Sequence, residues 1–478
     1  MKAYLINPPP FEGVKMVREG RCMQRLGAWT TVWPPYSVCT AAALFEKAGF
    51  CVKVNDCIVE GISYAALKGM IQQFKPRIVV INTATPSIEG DLSVAKMAKD
   101  IDPGIITVAI GIHVTELTNE CFAMQPCLDI VVRGELEDTI TELTKAMASA
   151  APYKGLEPLL RSIKGLSYRT KEGIAHNEKR PFIRDIDKIP YPAWQYINVN
   201  NYKIPFLDKP FLLLATARGC PYNCTFCSAK PYYGQGLRLF SVSRVVDEME
   251  YDLKGLGVSE FLIWTESFTL NRDFVMAFCD EILRRRLRVH WACNGRVDNA
   301  DPEMFRRMKR AGCWNIGFGV ESASQEVLDK ARKGTTVKQI VNAIKLAKAA
   351  GLEVTAHCMV GLPGETRQTI QDTVRLLKEL DVGFAQFYCA VPFPWTDLYK
   401  IAKANNWIRS YDWRYYEQNY SVMGNECLSP DQVVSLRSRA YKSFFLRPKI
   451  LLKVLKQIRK PRDIVNLAVM AKDFATWA

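Results

Sequence analysis

Short apolar runs alternate with helical patterns along most of this chain, and their spacing divides it into segments. In the first 150 residues, Tyr4–Asn7 predicts a strand and Val38–Lys47 a helix that stops at Gly49. Cys51–Asn55, Arg77–Asn82, Ile105–Ile110 and Ile130–Val132 predict further strands, with helices over Ser63–Phe74, Asp91–Asp100 and Leu136–Ser149 between and after them. Arg77–Asn82 is apolar at nearly every position, as a strand buried on both faces requires. Such β/α alternation predicts a doubly wound, Rossmann-like parallel sheet with ligand-binding loops beyond the carboxyl ends of its strands.

The rhythm breaks over residues 151–205. There Ser167–Thr170 and Ile174–His176 flank Lys171-Glu172-Gly173 as a β-hairpin, and Pro181, Pro190 and Pro192 punctuate an extended linker. It resumes near residue 206. Strands are predicted at Phe211–Ala215, Phe261–Trp264, His290–Asn294, Asn315–Val320, Glu353–Val360 and Phe384–Ala390, with helices at Val242–Lys254, Pro302–Ala311, Val337–Ala350 and Ile370–Leu380. Six β/α units predict a partial TIM-type barrel, a fold that places chemistry at the carboxyl ends of its strands. An aromatic segment follows Ile408, and Ser429-Pro430-Asp431 opens a helical C-terminal region. The expected domains are 1–150, a linker 151–205, a barrel 206–407 and a helical region 408–478.

Composition adds bounds. A chain of 478 residues with 48% hydrophobic and 24% charged content suits two to four globular domains. No apolar run approaches a membrane span, and the opening strand, broken by Pro8-Pro9-Pro10, is too short for a signal peptide. Fifteen scattered cysteines suit a reducing cytoplasm. The net charge of +15 is concentrated: residues 437–478 hold eleven Lys or Arg against two Asp, or +9. In that tail Phe444–Lys460 has a basic, amphipathic helical pattern. It suits either the anionic inner face of a membrane or packing on the barrel with its lysines in water. No module that reads nucleic acid is recognisable, so no nucleic-acid partner is expected.

The strongest chemical signal follows the first barrel strand: Cys220-Pro221-Tyr222-Asn223-Cys224-Thr225-Phe226-Cys227. Three thiolates can hold a [4Fe-4S] cluster with one iron left open to a ligand. A structural zinc site would need a fourth Cys or His close by; the next cysteine is Cys279, and the histidines, at 113, 176, 290 and 357, are distant. A disulfide fails on parity and compartment.

This Cys-x3-Cys-x2-Cys motif resembles the signature of radical S-adenosylmethionine (SAM) enzymes. In that family the open iron chelates SAM, and one electron from the cluster cleaves it to a 5′-deoxyadenosyl radical that abstracts hydrogen from an unactivated carbon. Later strand ends resemble the family in order. Thr265-Glu266-Ser267 stands where family members bind the SAM amino group, which implicates Glu266 and Ser267. Glu321-Ser322-Ala323-Ser324 resembles a stretch with Gly in place of Ala323, which implies that Glu321 and Ser322 reach the ribose or carboxylate, with Arg296 assisting. Gly361-Leu362-Pro363-Gly364-Glu365-Thr366 implies backbone near the adenine at Gly361. Phe226, inside the cysteine motif, is a further SAM contact by the same resemblance. At Val391-Pro392-Phe393-Pro394-Trp395-Thr396 the family usually has Gly for Trp395, so a different turn, or an indole filling the substrate cavity, is expected.

The first domain resembles the cobalamin-binding domain of the B12-dependent subgroup, in which the corrin ring lies on the strand-end loops. That implies Thr85, Gly111, His113, Gly134 and Glu135 as contacts. The Asp-x-His-x-x-Gly motif that gives cobalt a histidine ligand is missing, so no cobalt ligand is named, and a sheet that kept its shape but lost its cofactor is the alternative. The insertion Met16–Trp33 could face the substrate cavity; its Cys22 is assigned no chemistry. His357 and Cys358 lie on opposite faces of one strand, with the inward one undetermined.

The resemblance covers most of residues 1–460. It implies a cobalamin-type radical SAM enzyme, with a flavodoxin- or ferredoxin-type electron donor, that methylates an unactivated carbon. It is closest to the branch of anaerobic Mg-protoporphyrin cyclases and lipid-modifying enzymes. Cyclisation or C–C bond formation on a lipid or tetrapyrrole is the second expectation, and a non-enzymatic iron–sulfur or corrinoid carrier the third. A methylthiolating RNA enzyme would bring an additional cluster domain and an RNA-binding module.

Overall fold

The computed structural model describes residues 1–19, 23–26, 31–149, 156–204 and 209–448. Most of the basic tail pattern at 444–460, and Cys22, lie outside the described residues. The chain forms two compact units. One comprises Met1–Gln24, Val32–Lys203 and Tyr232–Gly234; the other comprises Arg25–Thr31, Ile204–Pro231 and Gln235–Ala478.

In the first unit the strands are β1 (Lys2–Asn7), β2 (Cys51–Asp56), β3 (Ile78–Asn82), β4 (Ile106–Ile110), β5 (Ile130–Val132), β6 (Leu166–Thr170) and β7 (Gly173–His176). They form one sheet in the order β2-β1-β3-β4-β5-β6-β7. The five strands β1–β5 are parallel, and β3 and β4 are buried at every position. Helices α1 (Tyr36–Lys47), α2 (Tyr64–Phe74), α3 (Ile88–Ile101), α4 (Ile112–Glu116) and α5 (Glu137–Ser149) accompany them. Chain order reverses at β1, so the carboxyl ends of β1 and β3 bound the crevice where folds of this kind bind ligands. Two elements differ from expectation: Ile112–Glu116, read within a strand-end loop, is the short helix α4, and the hairpin joins the sheet. The hairpin read as part of a linker pairs antiparallel with β5 and extends the sheet to seven strands, covering an edge that would otherwise expose unpaired backbone.

In the second unit, β8 (Phe211–Ala215), β9 (Glu260–Trp264), β10 (His290–Gly295), β11 (Cys313–Glu321), β12 (Glu353–Val360) and β13 (Phe384–Cys389) follow one another in a wholly parallel sheet. Each neighbour pair is parallel, and β8 and β13 are the edges of an open barrel. The connecting helices are α6 (Val242–Leu256), α7 (Arg272–Arg284), α8 (Pro302–Arg310), α9 (Gln325–Lys330), α10 (Val337–Ala349) and α11 (Arg367–Glu379); α12 (Asp397–Ala404) and α13 (Pro430–Phe445) follow. Their starts are set locally. Ser241, Asn271, Asp301, Thr336, Thr366 and Ser429 each accept a backbone N–H of the first turn. Helix α7 was not read from the sequence; its charged stretch Arg284-Arg285-Arg286 masks an apolar face of Phe274, Val275, Phe278 and Ile282 that is buried.

The insertion after β1 is divided between the units. Arg18 is buried against Asp91 at 2.7 Å and donates to the carbonyls of Pro8 and Pro9 in the first unit. Arg25 lies in the second, its amide donating to Glu417 Oε2 and its carbonyl accepting from Asn419.

Candidate cofactor site

The cysteine loop leaves the carboxyl end of β8 and is tied down at several points. The Thr225 amide donates to the Ala331 carbonyl at 3.0 Å, and the Leu398 amide donates to the Thr225 carbonyl at 2.8 Å. Phe226 packs on the apolar cluster of Val327, Ala331, Leu362, Leu398 and Met423. Cys220, Cys224 and Cys227 are all partly accessible. Burial pushes the Cys224 thiol up, and the positive charge of Lys333 works against that shift. Among the described residues no three His, Cys, Asp or Glu side chains converge to hold one metal ion. In an iron–sulfur cube each thiolate serves a different iron, so the three thiols of this one loop suit it by their chemistry.

One strand over, register pairs Ala215 with Trp264, so the end of β9 lies beside the start of the cysteine loop. Thr265 Oγ1, Glu266 Oε2 and Ser267 Oγ are buried there without a hydrogen-bond partner. Buried oxygens of this kind cost free energy unless a ligand satisfies them. Their chemistry, one carboxylate and two hydroxyls, suits an ammonium group.

Further along the sheet the polar groups are paired with one another. The Arg296 guanidinium meets Asp298 at 2.9 Å and the Lys333 carbonyl at 2.9 Å, and its carbon lies 3.4 Å from the Tyr222 ring centre. Lys333 Nζ is 2.6 Å from Glu321 Oε1, with side-chain exposures of 9% and 8%, which makes this a buried ion pair. Burial disfavours the Lys333 ammonium, but Glu321 and Cys224 together more than offset it, and the lysine pKa is raised. Glu321 sits at a register irregularity between β11 and β12 with φ of +60°. That bulge turns its carboxylate toward Lys333. Ser322 is fully buried, its oxygen accepting the Ser324 amide in a local turn. The Gly361 amide donates to Glu365 Oε2 at 2.6 Å, and burial pushes the Glu365 carboxyl up to about 8.

Strand register sorts the inward and outward faces of the barrel strands. Phe387 of β13 packs on Tyr441 and Phe444 of α13 and is in register with Cys358, so Cys358 faces the helices. His357 faces inward, stacked on Tyr388, with Nδ1 3.3 Å from its hydroxyl. Burial holds this imidazole neutral and pushes its pKa down to about 4. Two glycines of β11 make room along that face. A Cβ on Gly317 would lie 2.4 Å from Asn294 Oδ1 and 2.6 Å from His357 Nε2; one on Gly319 would lie 2.6 Å from Lys333 Nζ.

In the first unit, Thr85 follows β3, Gly111 follows β4, and Gly134 and Glu135 follow β5, all at carboxyl ends. Thr85 Oγ1 is buried without a hydrogen-bond partner. No side-chain or backbone atom stands within 4 Å of a Cβ built on Gly134, whose amide donates to Thr115 Oγ1 at 3.1 Å. An orphan hydroxyl and an open glycine at these loops fit a ligand lying across them. His113 is fully buried in α4, and burial pushes its pKa down to about 3. Glu135 Oε2 accepts the Ile183 amide at 2.8 Å, so this carboxylate positions the segment after the hairpin.

Sequence reasoning did not find Lys333, nor the bond from Trp395 Nε1 to Ser228 Oγ at 3.0 Å. Lys333 lies in a turn with no periodicity to mark it, and its partner is on another strand. The Trp395 indole lies parallel to Phe393 and reaches the cysteine loop.

A doubly wound sheet joined to an open barrel with three cysteines on its first loop defines a class of cofactor-dependent α/β enzymes, and comparison with known proteins gives the family. Residues 214–377 match the radical SAM superfamily, and residues 26–144 match the B12 binding domain. An uncharacterized methyltransferase of Pyrococcus horikoshii is 35% identical over 95% of this chain and 94% of its own. The anaerobic magnesium-protoporphyrin IX monomethyl ester cyclase of Cereibacter sphaeroides is 30% identical over 87% of this chain and 67% of its own. The chain is similar in fold to the radical SAM methyltransferase TsrM from Kitasatospora setae, with a TM-score of 0.68 at 18% identity, over 91% of this chain and 85% of that one. For the cobalamin-dependent radical enzyme OxsB the TM-score is 0.73 at 15% identity, over 100% of this chain and 71% of that one. The chain belongs to the cobalamin-dependent radical SAM family. It is an enzyme of that type, with a [4Fe-4S] cluster, SAM and cobalamin as cofactors and an external electron donor. No helix among the described residues is long and apolar enough to cross a membrane.

Proposed function

We propose that this enzyme methylates an unactivated carbon of its substrate. Cys220, Cys224 and Cys227 hold the cluster. Glu266, with Thr265 and Ser267, receives the SAM ammonium, while Phe226, Arg296, Glu321, Ser322 and Gly361 line the remainder of the SAM site. When bound, the cluster supplies the electron that breaks a carbon–sulfur bond of SAM, and cobalamin carries the methyl group. The protein binds and orients these groups and excludes water around them. Thr85, Gly111, His113 and Gly134 form the loop set for the corrin, and Glu135 orders the segment beside it.

The observation that carries this reading is the set of unpartnered buried oxygens of Thr265, Glu266 and Ser267 next to the cysteine loop. The 35% identical relative, described as a methyltransferase, supports methyl transfer. The 30% identical cyclase supports a second reading, cyclisation or C–C bond formation on a tetrapyrrole or lipid. A flavodoxin- or ferredoxin-type protein is the electron donor in this proposal, and the basic tail brings the enzyme to an anionic bilayer surface.

The test is anaerobic reconstitution followed by SAM and dithionite. 5′-Deoxyadenosine above a Cys224→Ala control supports the reading, and none above it refutes the enzyme assignment of the loop. Methyl-deuterated SAM separates the two outcomes: label in the product supports methylation, and an unlabelled, cyclised product supports the second reading.

A further inference from the structure

Trp395 stands where the family usually has glycine, and its indole is tied to the cysteine loop. It lies parallel to the Phe393 ring, with ring centres 5.3 Å apart, and donates its N–H to Ser228 Oγ at 3.0 Å. Ser228 directly follows Cys227 and is 8% exposed. The next amide, of Ala229, donates to Cys227 Sγ at 3.4 Å. The peptide that bonds the sulfur is therefore the one whose serine Trp395 holds. The rest of the 393–398 turn is anchored as well: the Thr396 amide donates to the Phe393 carbonyl, and the Leu398 amide to the Thr225 carbonyl inside the cysteine loop. Indole and loop are thus fixed to one another at both ends.

We propose that Trp395, acting through Ser228, is a positioning residue that sets the reduction potential of the cluster carried by the cysteine loop. Hydrogen bonds to cluster sulfurs, together with solvent exposure, set such potentials. A donor held on a ligating sulfur favours the reduced cluster, which carries one more negative charge. Releasing Ser228 frees the Ser228–Ala229 peptide to move off Cys227, disfavours the reduced form and lowers the potential. The inference rests on Cys220, Cys224 and Cys227 being the cluster ligands, and the experiment separates the two.

Full-length protein is reconstituted anaerobically with iron and sulfide, its iron content is measured, and the cluster is titrated potentiometrically with EPR detection of the reduced form. Trp395→Phe keeps the stacking ring and loses the donor, Ser228→Ala loses the acceptor, and Ser228→Thr keeps it. Both losses should lower the reduced-to-oxidised ratio at a fixed potential by about tenfold, which is 59 mV for one electron. The double variant should add nothing further, because both changes remove one bond, and Ser228→Thr should titrate like the unsubstituted protein. An unchanged midpoint in Ser228→Ala at full iron content overturns the proposal, whether or not Trp395→Phe folds. So does a shift in Trp395→Phe alone, which would place the effect in ring packing. Retention of iron by Cys224→Ala would instead overturn the assignment of the ligands.

Discussion

The buried pair of Lys333 and Glu321 gives a prediction with a magnitude. Lys333→Met removes the ammonium and leaves the Glu321 carboxylate where its side chain is only 8% exposed. Breaking a buried ion pair from one side costs about 3–5 kcal/mol. For a unit of 150–250 residues each kcal/mol moves Tm by about 2–4 °C, so a fall of about 6–20 °C is expected. Replacing both partners, as in Glu321→Gln with Lys333→Met, removes the stranded charge and should restore most of the loss, because paired buried charges are often matched by uncharged residues. The pair is at full strength at neutral pH. The folded pKa of Lys333 lies above its ordinary 10.5, so the contribution is present below that pH and lost as the pH rises through the folded value. The assay is thermal unfolding by circular dichroism at pH 7. With two compact units the transition need not be two-state, so hydrogen exchange of β11 and β12 locates the effect in the second unit. A Lys333→Met protein melting within about 1 °C of the unsubstituted chain, or a double variant as unstable as the single, would refute the reasoning.

Three further outcomes follow from buried polar groups. Glu365→Ala should cost about 1–3 kcal/mol by stranding the Gly361 amide, and Glu365→Gln less, since an acceptor remains. The folded pKa of Glu365, about 8, is above the ordinary 4.5, so its contribution is fully present below pH 4.5 and lost as the pH rises through 8. Glu365→Gln should therefore flatten the fall in stability between pH 5 and 8, read by urea denaturation. His357, at about 4, and His113, at about 3, are depressed, so their contributions are present above pH 6.5 and lost as the pH falls through those values. Nitrogen-15 spectra at pH 5.5 should hold His113 and His357 in the neutral form, and titration of either near 6.5 would refute the assigned burial. Gly317→Ala pushes a Cβ to 2.4 Å from Asn294 Oδ1 and 2.6 Å from His357 Nε2, and should cost about 1–3 kcal/mol in chemical denaturation. An unchanged His357 resonance in that variant would show that the side chains do not converge there.

The strands of both sheets and most of the longer helices, α7 excepted, together with the cysteine loop and its position after the first barrel strand, follow from sequence alone. Periods of 2 and 3.6 are local properties, as is the spacing of three thiols within eight residues. Glu266 and Ser267 were implicated by the family resemblance of the strand end they occupy, and Thr265 joins them only as a buried hydroxyl of the structure. What the tertiary structure decided lies between elements. Strand register placed Cys358 under Phe387 and so turned His357 inward. The bulge in β11 aimed Glu321 at a lysine twelve residues away, and two glycines cleared the space that their partners occupy. The hairpin read as part of a linker joined the sheet because β5 offered it a free edge. Trp395 came to rest against the residue after Cys227, although 167 positions separate it from Ser228. Sequence pattern fixes which face of an element is apolar. Which polar group meets which across strands depends on register and on chain reversal, and those are set only when the sheets assemble.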